Sequence, residues 1–169
     1  CMRFPTTSKN AEDIDAEKSA KMLEYAIENG VNYFDTAYVY HGGKSESFIG
    51  RVLKPYRDKI HIATKCPTWE VKCEEDFDRL LNEQLERLQT DYIDFYLMHA
   101  LDKDRFKNVV EKFNLIDKLN KAKADGKIRH IGFSFHDDVE TFKKIIDANP
   151  DWEFCQIQLN YINVKYQAG

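Results

Sequence analysis

The sequence predicts an α/β fold of parallel strands: the N-terminal part of a (β/α)8 TIM barrel, about six strands with their helices outside. Three observations carry this expectation. Helical and strand-like patterns alternate along almost the whole chain, as they do in βα units. Successive strand ends fall near Asp35, Lys65, His99, Ser134 and Gln158, in steps of 30, 34, 35 and 24 residues, the stride of a crossover connection. No G-x-G-x-x-G follows any strand, and Gly42-Gly43 lacks that spacing, so a doubly wound dinucleotide-binding sheet fits less well. The 169 residues fall short of the roughly 200 to 250 that a closed eight-stranded barrel takes. The expectation is therefore a single domain over residues 1–169 that starts inside its first strand, at Cys1-Met2-Arg3, and stops after its sixth.

The elements follow in order. Met22, Leu23, Ala26 and Ile27 recur at helical spacing and predict a helix from Glu17 to Asn29, with Gly30 placed to end it in a left-handed cap. The strand Val31 to Asp35 comes next. A second helix, Ser45 to Lys54, stops before Pro55, and the β-branched run Ile60 to Lys65 suits a buried strand. Phe77, Leu80, Leu81, Leu85 and Leu88 line one face of a third helix, ahead of the strand Tyr92 to Met98. A helix over Phe106 to Ala124 leads past Gly126 to the strand Arg129 to Ser134. The last unit pairs the helix Val139 to Ala148 with the strand Phe154 to Gln158.

Composition bounds the function. With 43% apolar residues, 11 Phe and 9 Tyr, the chain can build a core. A net charge of -4 supplies no broad cationic face, which argues against nucleic acid as a partner. No apolar run approaches the roughly 20 residues that span a bilayer, and Cys1-Met2-Arg3-Phe4-Pro5 lacks the apolar region of a signal peptide, so the expected setting is cytoplasmic, without a membrane. Cys1, Cys66, Cys73 and Cys155 form no Cys-x-x-Cys pair and read as reduced thiols. The acidic stretch Glu74-Glu75-Asp76 suits a helix N-terminus, and Lys118, Lys121 and Lys123 read as a solvated face.

Asp35, Lys65 and His99 each terminate an apolar run, and in α/β barrels that end of the strands carries the active site. Singly, the Asp could cap a turn, the Lys could lie on a solvated rim and the His could be a bonded core residue. Three such groups aimed into one mouth are harder to explain as structure, because burying charge is costly unless it is paired. Tyr40 is a candidate acid in the turn after Asp35, and Lys65 would lower its pKa from the usual value of about 10, held charged by Asp35. A neutral His99 could donate a hydrogen bond to a substrate oxygen and polarise it. Tyr38, two residues earlier, is the rival acid on spacing alone, and Trp69 is a candidate pocket wall.

These residues resemble the aldo-keto reductases. Phe34-Asp35-Thr36-Ala37 with Tyr40, then Ser45-Glu46 and Gly50, is similar to that family's first signature. Lys65 in Ile62-Ala63-Thr64-Lys65 and His99 in Asp94-Phe95-Tyr96-Leu97-Met98-His99 match its catalytic Lys and His. The resemblance implies reduction of a small-molecule aldehyde or ketone by hydride transfer from NADPH or NADH, with Tyr40 as proton donor and His99 orienting the carbonyl, and carboxamide contacts from Ser134 and Gln156, with Asn160 a weaker candidate. Many members carry Asn directly after that Ser, whereas Phe135 and His136 stand here. The opening residues and Gly132-Phe133-Ser134-Phe135-His136 look most like bacterial members with a C-terminal iron-sulfur extension, whose cysteines these residues do not include. The family's phosphate and adenosine contacts fall on later strands, so the 169 residues alone are expected to be inactive and to self-associate through open edges, with Ile157 exposed. Two other readings compete. A metal-dependent hydrolase would need histidines paired on one strand, which His41, His61, His99, His130 and His136 do not supply, so no metal is expected. A cofactor-binding regulatory barrel with little turnover shares the same tetrad.

Overall fold

The computed structural model of the chain describes residues 1–159 and 162. Helix α1 (Ala16–Glu28) is capped by Asp15, whose carboxylate accepts the Lys18 N–H, and it ends through Gly30 at φ 88°. Strand β1 (Tyr33–Asp35) follows, then α2 (Lys44–Leu53), a 3-10 turn (Lys54–Lys59) and β2 (His61–Cys66). Helix α3 (Glu74–Leu88) leads to β3 (Ile93–Leu101). Within its acidic start, the Asp76 carboxylate accepts the backbone N–H groups of Lys72 and Cys73, so the acidic stretch closes the first turn of the helix. A short helix α4 (Lys103–Arg105), a π-helical stretch (Phe106–Glu111) and α5 (Leu115–Ala124) precede β4 (Ile128–Phe135), α6 (Val139–Ala148) and β5 (Phe154–Gln156).

The five strands form one sheet in the order β1-β2-β3-β4-β5, every neighbouring pair parallel. This is a partial (β/α)8 barrel. Strand alternation sends Phe34, Ile62, Tyr96, Met98, Ile131 and Phe133 to the face covered by helices, where all six are buried. Phe77, Leu80, Leu81 and Leu88 of α3 join them in one core. The opposite face carries Tyr33, Phe95, His130 and Phe154, whose rings gather about Phe95 at 4.9 to 5.3 Å, His130 stacked, Phe154 edge-on and Tyr33 tilted.

Two expectations need correction. Cys1-Met2-Arg3 is not a strand: the first regular pairing is the isolated bridge between Thr6 and Ile14, and β1 is the sheet's edge. The helix expected over Phe106 to Ala124 is also broken. Asn114 takes φ 50°, and the buried apolar spacing steps from Val110 to Leu115. Five residues of continuous α-helix would turn Leu115 roughly 140° away from Val110, so both reach the core only across a break.

Gly50 sits where α2 meets α3. A Cβ there would lie 2.6 Å from the Arg87 carbonyl oxygen, against backbone that cannot yield. Gly50→Ala should therefore destabilise the fold by about 1–3 kcal/mol, the usual scale of overpacking, read as a lower denaturant midpoint with unchanged slope.

Candidate active site

Asp35, Lys65 and His99 reach the same end of the sheet because parallel strands β1, β2 and β3 finish there, and Tyr40 arrives in the turn after β1. Lys65 is 1% exposed. Its ammonium donates to both Asp35 carboxylate oxygens at 2.7 Å and to the Thr36 carbonyl at 2.7 Å, which occupies its three protons. The same nitrogen lies 5.2 Å from the centre of the Tyr40 ring. The His99 ring stands 6.2 Å from Tyr40, nearly perpendicular to it, and 5.1 Å from Trp69. A cavity of about 690 Å3 opens over these groups, with Ser134, His136 and Gln156 also on its wall.

Burial pushes His99 down to about 3, aided by the positive charge of Lys65, so the imidazole is neutral throughout the physiological range. Its Nδ1 is buried and finds no hydrogen-bond partner among the described residues. The stability sign follows. Between about pH 3 and the ordinary value of 6.5, the unfolded chain binds a proton that folded His99 refuses. The contribution of neutral His99 is thus full above 6.5 and is lost as pH falls towards 3. In an NMR titration the His99 ring should show no ionisation between about pH 5 and 8, whereas a midpoint near 6.5 would contradict its burial.

Tyr40 departs from expectation. Its pKa is raised, first by burial and then by the Asp35 charge, which together outweigh any lowering by Lys65. The Lys65 protons are directed at Asp35 and Thr36, so Lys65 acts on the phenol only through space, 5.2 Å from the ring centre. Burial also draws the Lys65 pKa below the usual lysine range, against the pull of Asp35. Tyr38 lies apart from this mouth. Its hydroxyl is 3.3 Å from both Glu83 carboxylate oxygens and its ring faces the Arg87 guanidinium at 4.2 Å.

Ser134 is 4% exposed, and its Oγ accepts the Ala100 N–H at 2.7 Å, leaving its own proton to donate. Gln156, exposed at the end of β5, is the register partner of Ser134. A hydroxyl proton beside an amide that both donates and accepts matches the needs of a nicotinamide carboxamide. Asn160 lies outside the described residues. Among those described, no group of three or more His, Cys, Asp and Glu side chains is arranged to hold a metal.

The model of the aldo/keto reductase family matches residues 2–168. The chain belongs to that family. Glyoxal reductase of Bacillus subtilis (strain 168) is 35% identical over 124 residues, covering 71% of this chain and 41% of that protein. An aldo/keto reductase from Klebsiella pneumoniae, solved in complex with NADP and acetate, is 30% identical with a TM-score of 0.64, over 76% of this chain and 42% of its own. A second Klebsiella pneumoniae aldo-keto reductase, solved with NADPH, shares the fold at a TM-score of 0.75 and 24% identity, over 93% of this chain and 52% of its own. The chain spans about half or less of the length of the curated relatives it matches, from 35% to 54%.

A buried polar network behind Lys65 was not expected. Glu46, fully buried, accepts hydrogen bonds at 2.6 Å from both the Thr64 hydroxyl and the Gln84 amide, and Gln84 also donates to the Lys65 carbonyl at 3.1 Å. Burial raises the Glu46 pKa, opposed by those bonds and by Arg87. One signal was visible: Gln84 falls at helical spacing between Phe77, Leu81 and Leu88, where an apolar side chain belongs.

Proposed function

We propose that the protein reduces a small aldehyde or ketone to an alcohol, with Tyr40 as proton donor and a nicotinamide cofactor. The observation that carries this reading is the convergence of Tyr40, the Lys65–Asp35 pair and a neutral His99 on one mouth. When bound, the nicotinamide supplies the hydride to the carbonyl carbon. Tyr40 gives its proton to the carbonyl oxygen, and its raised pKa means the proton is present at neutral pH. The Lys65 ammonium, 5.2 Å from the ring centre, offsets the negative charge left on the phenolate, and Asp35 fixes it there. Neutral His99 donates a hydrogen bond that orients and polarises the carbonyl. Ser134 and Gln156 would hold the carboxamide.

Relatives named for glyoxal and methylglyoxal support a small dicarbonyl as substrate. The 30%-identical Klebsiella pneumoniae relative solved with NADP, and the Escherichia coli relative named an NADH-specific methylglyoxal reductase, support a nicotinamide cofactor, with or without the 2′-phosphate. The iron-sulfur cluster expected from the resemblance draws no support from these relatives. Metal-dependent hydrolysis is disfavoured, because the mouth's carboxylate, Asp35, is already held by Lys65. No helix among the described residues is long and apolar enough to cross a membrane, and the four thiols are free, which suits a reducing cytoplasm. β1 and β5 are the edge strands of the described sheet, and pairing of copies of these 169 residues through them is the expected self-association, read by sedimentation at several concentrations.

Stopped-flow mixing of the intact, NADPH-loaded protein with methylglyoxal tests the reaction. Loss of the reduced-nicotinamide absorbance in a single turnover is expected. Tight NADPH binding without that loss would favour the regulatory barrel instead.

A further inference from the structure

Strand β3 does not finish as a regular strand. Its pairing with β4 runs through Met98 opposite Phe133 and resumes with Leu101 opposite Phe135, three residues against two, so β3 carries one extra residue. Within that slip Ala100 takes φ 53°, a left-handed conformation that a residue with a Cβ seldom adopts. The extra residue has a consequence for the mouth. By strict alternation Leu101 would follow Leu97 and His99 on one face, but the bulge returns it to the helix-covered side, where it is fully buried with Phe133 and Phe135.

A strained residue persists only where its surroundings over-determine it. Three side chains from three different elements meet this bulge. Thr68, fully buried in the 3-10 turn Thr68–Glu70, donates its hydroxyl to the His99 carbonyl at 3.0 Å. Ser134 of β4 accepts the Ala100 N–H at 2.7 Å. Arg105 of α4 donates to the Ala100 carbonyl at 3.0 Å and is itself held by the Asp102 carboxylate. The main-chain polar groups around Ala100 are thereby fixed from both sides of β3.

We infer that Thr68, Ser134 and Arg105 are positioning residues that clamp the His99–Ala100 bulge and so aim the His99 imidazole across the mouth at Tyr40. The inference rests on the reading of His99 as the group that orients the carbonyl. It gives Ser134 a second task beside the carboxamide, with its lone pair on Ala100 and its proton left for the cofactor.

The test is a double-mutant cycle in the intact protein. Thr68→Val keeps the side-chain shape and removes the hydroxyl; it should lower kcat about 10- to 100-fold with the cofactor KM unchanged, and Thr68→Ser should restore most of the loss. In a His99→Ala background Thr68→Val should cost nothing more, because its effect passes through that ring. Arg105→Gln, at a partly exposed position, should show the same dependence on His99 if Thr68→Val fails to fold. Equal losses in both backgrounds would overturn the inference. A second readout separates it from the proposed reaction: the His99 ring resonances should shift in Thr68→Val or Arg105→Gln and return in Thr68→Ser, whether or not the protein turns over. Unmoved resonances would overturn the clamp, whereas moved resonances in a protein without turnover would support it and overturn only the reading of the reaction.

Discussion

Tyr40→Phe should lower carbonyl reduction by about 10² to 10⁴ while leaving cofactor affinity nearly unchanged. The substitution removes one proton donor and keeps the ring that faces His99 and Lys65. The loss should fall on kcat in single-turnover reduction, since the missing interaction is made in the transition state. Tyr38→Phe is the control. Its hydroxyl meets Glu83 and its ring meets Arg87, away from the mouth, so reduction should persist near the normal rate. A larger loss in Tyr38→Phe than in Tyr40→Phe would reverse the assignment.

Lys65→Met should damage both activity and stability. The Asp35 carboxylate would lose its partner and the Thr36 carbonyl its donor. Breaking a fully buried pair costs about 3–5 kcal/mol. Water reaches Asp35, whose side chain is 24% exposed against 2% for Lys65, so a smaller cost of about 1–3 kcal/mol is expected in chemical denaturation. Reduction should fall by about 10² or more, because the phenolate formed when Tyr40 gives up its proton would then face Asp35 with no cation between. Asp35→Asn should cost at least as much stability, since its amide oxygen still accepts from Lys65 but leaves an ammonium that is 2% exposed without a counter-charge. A Lys65→Met protein with normal turnover would remove the cation from the mechanism.

Much of this arrangement was legible in residue order, because each piece had a local cause. The helix expected from Val139 to Ala148 forms over those residues, and Asp138 caps it by accepting the Thr141 N–H. Parallel strands ending in Asp35, Lys65 and His99 needed only apolar runs followed by ionisable groups. The failures share another cause, which is that distant contacts decide them. Ala100 gives no glycine signal for its left-handed backbone, and the groups that hold it come from residues 68, 105 and 134. The direction of the Tyr40 shift is set by how deeply the fold buries the ring and by the nearness of the Asp35 charge, neither of which residue order shows. The break before Leu115 was the exception, written in the spacing of Val110 and Leu115 but marked by no Gly or Pro.

A crystal structure of the intact protein with NADP and a small carboxylate or carbonyl analogue tests most directly whether this mouth is where a carbonyl is reduced. The analogue's oxygen should lie about 2.6–3.2 Å from both the Tyr40 hydroxyl and a His99 ring nitrogen, with the carboxamide against Ser134 and Gln156. An analogue seated elsewhere, or one whose oxygen meets neither Tyr40 nor His99, would contradict it.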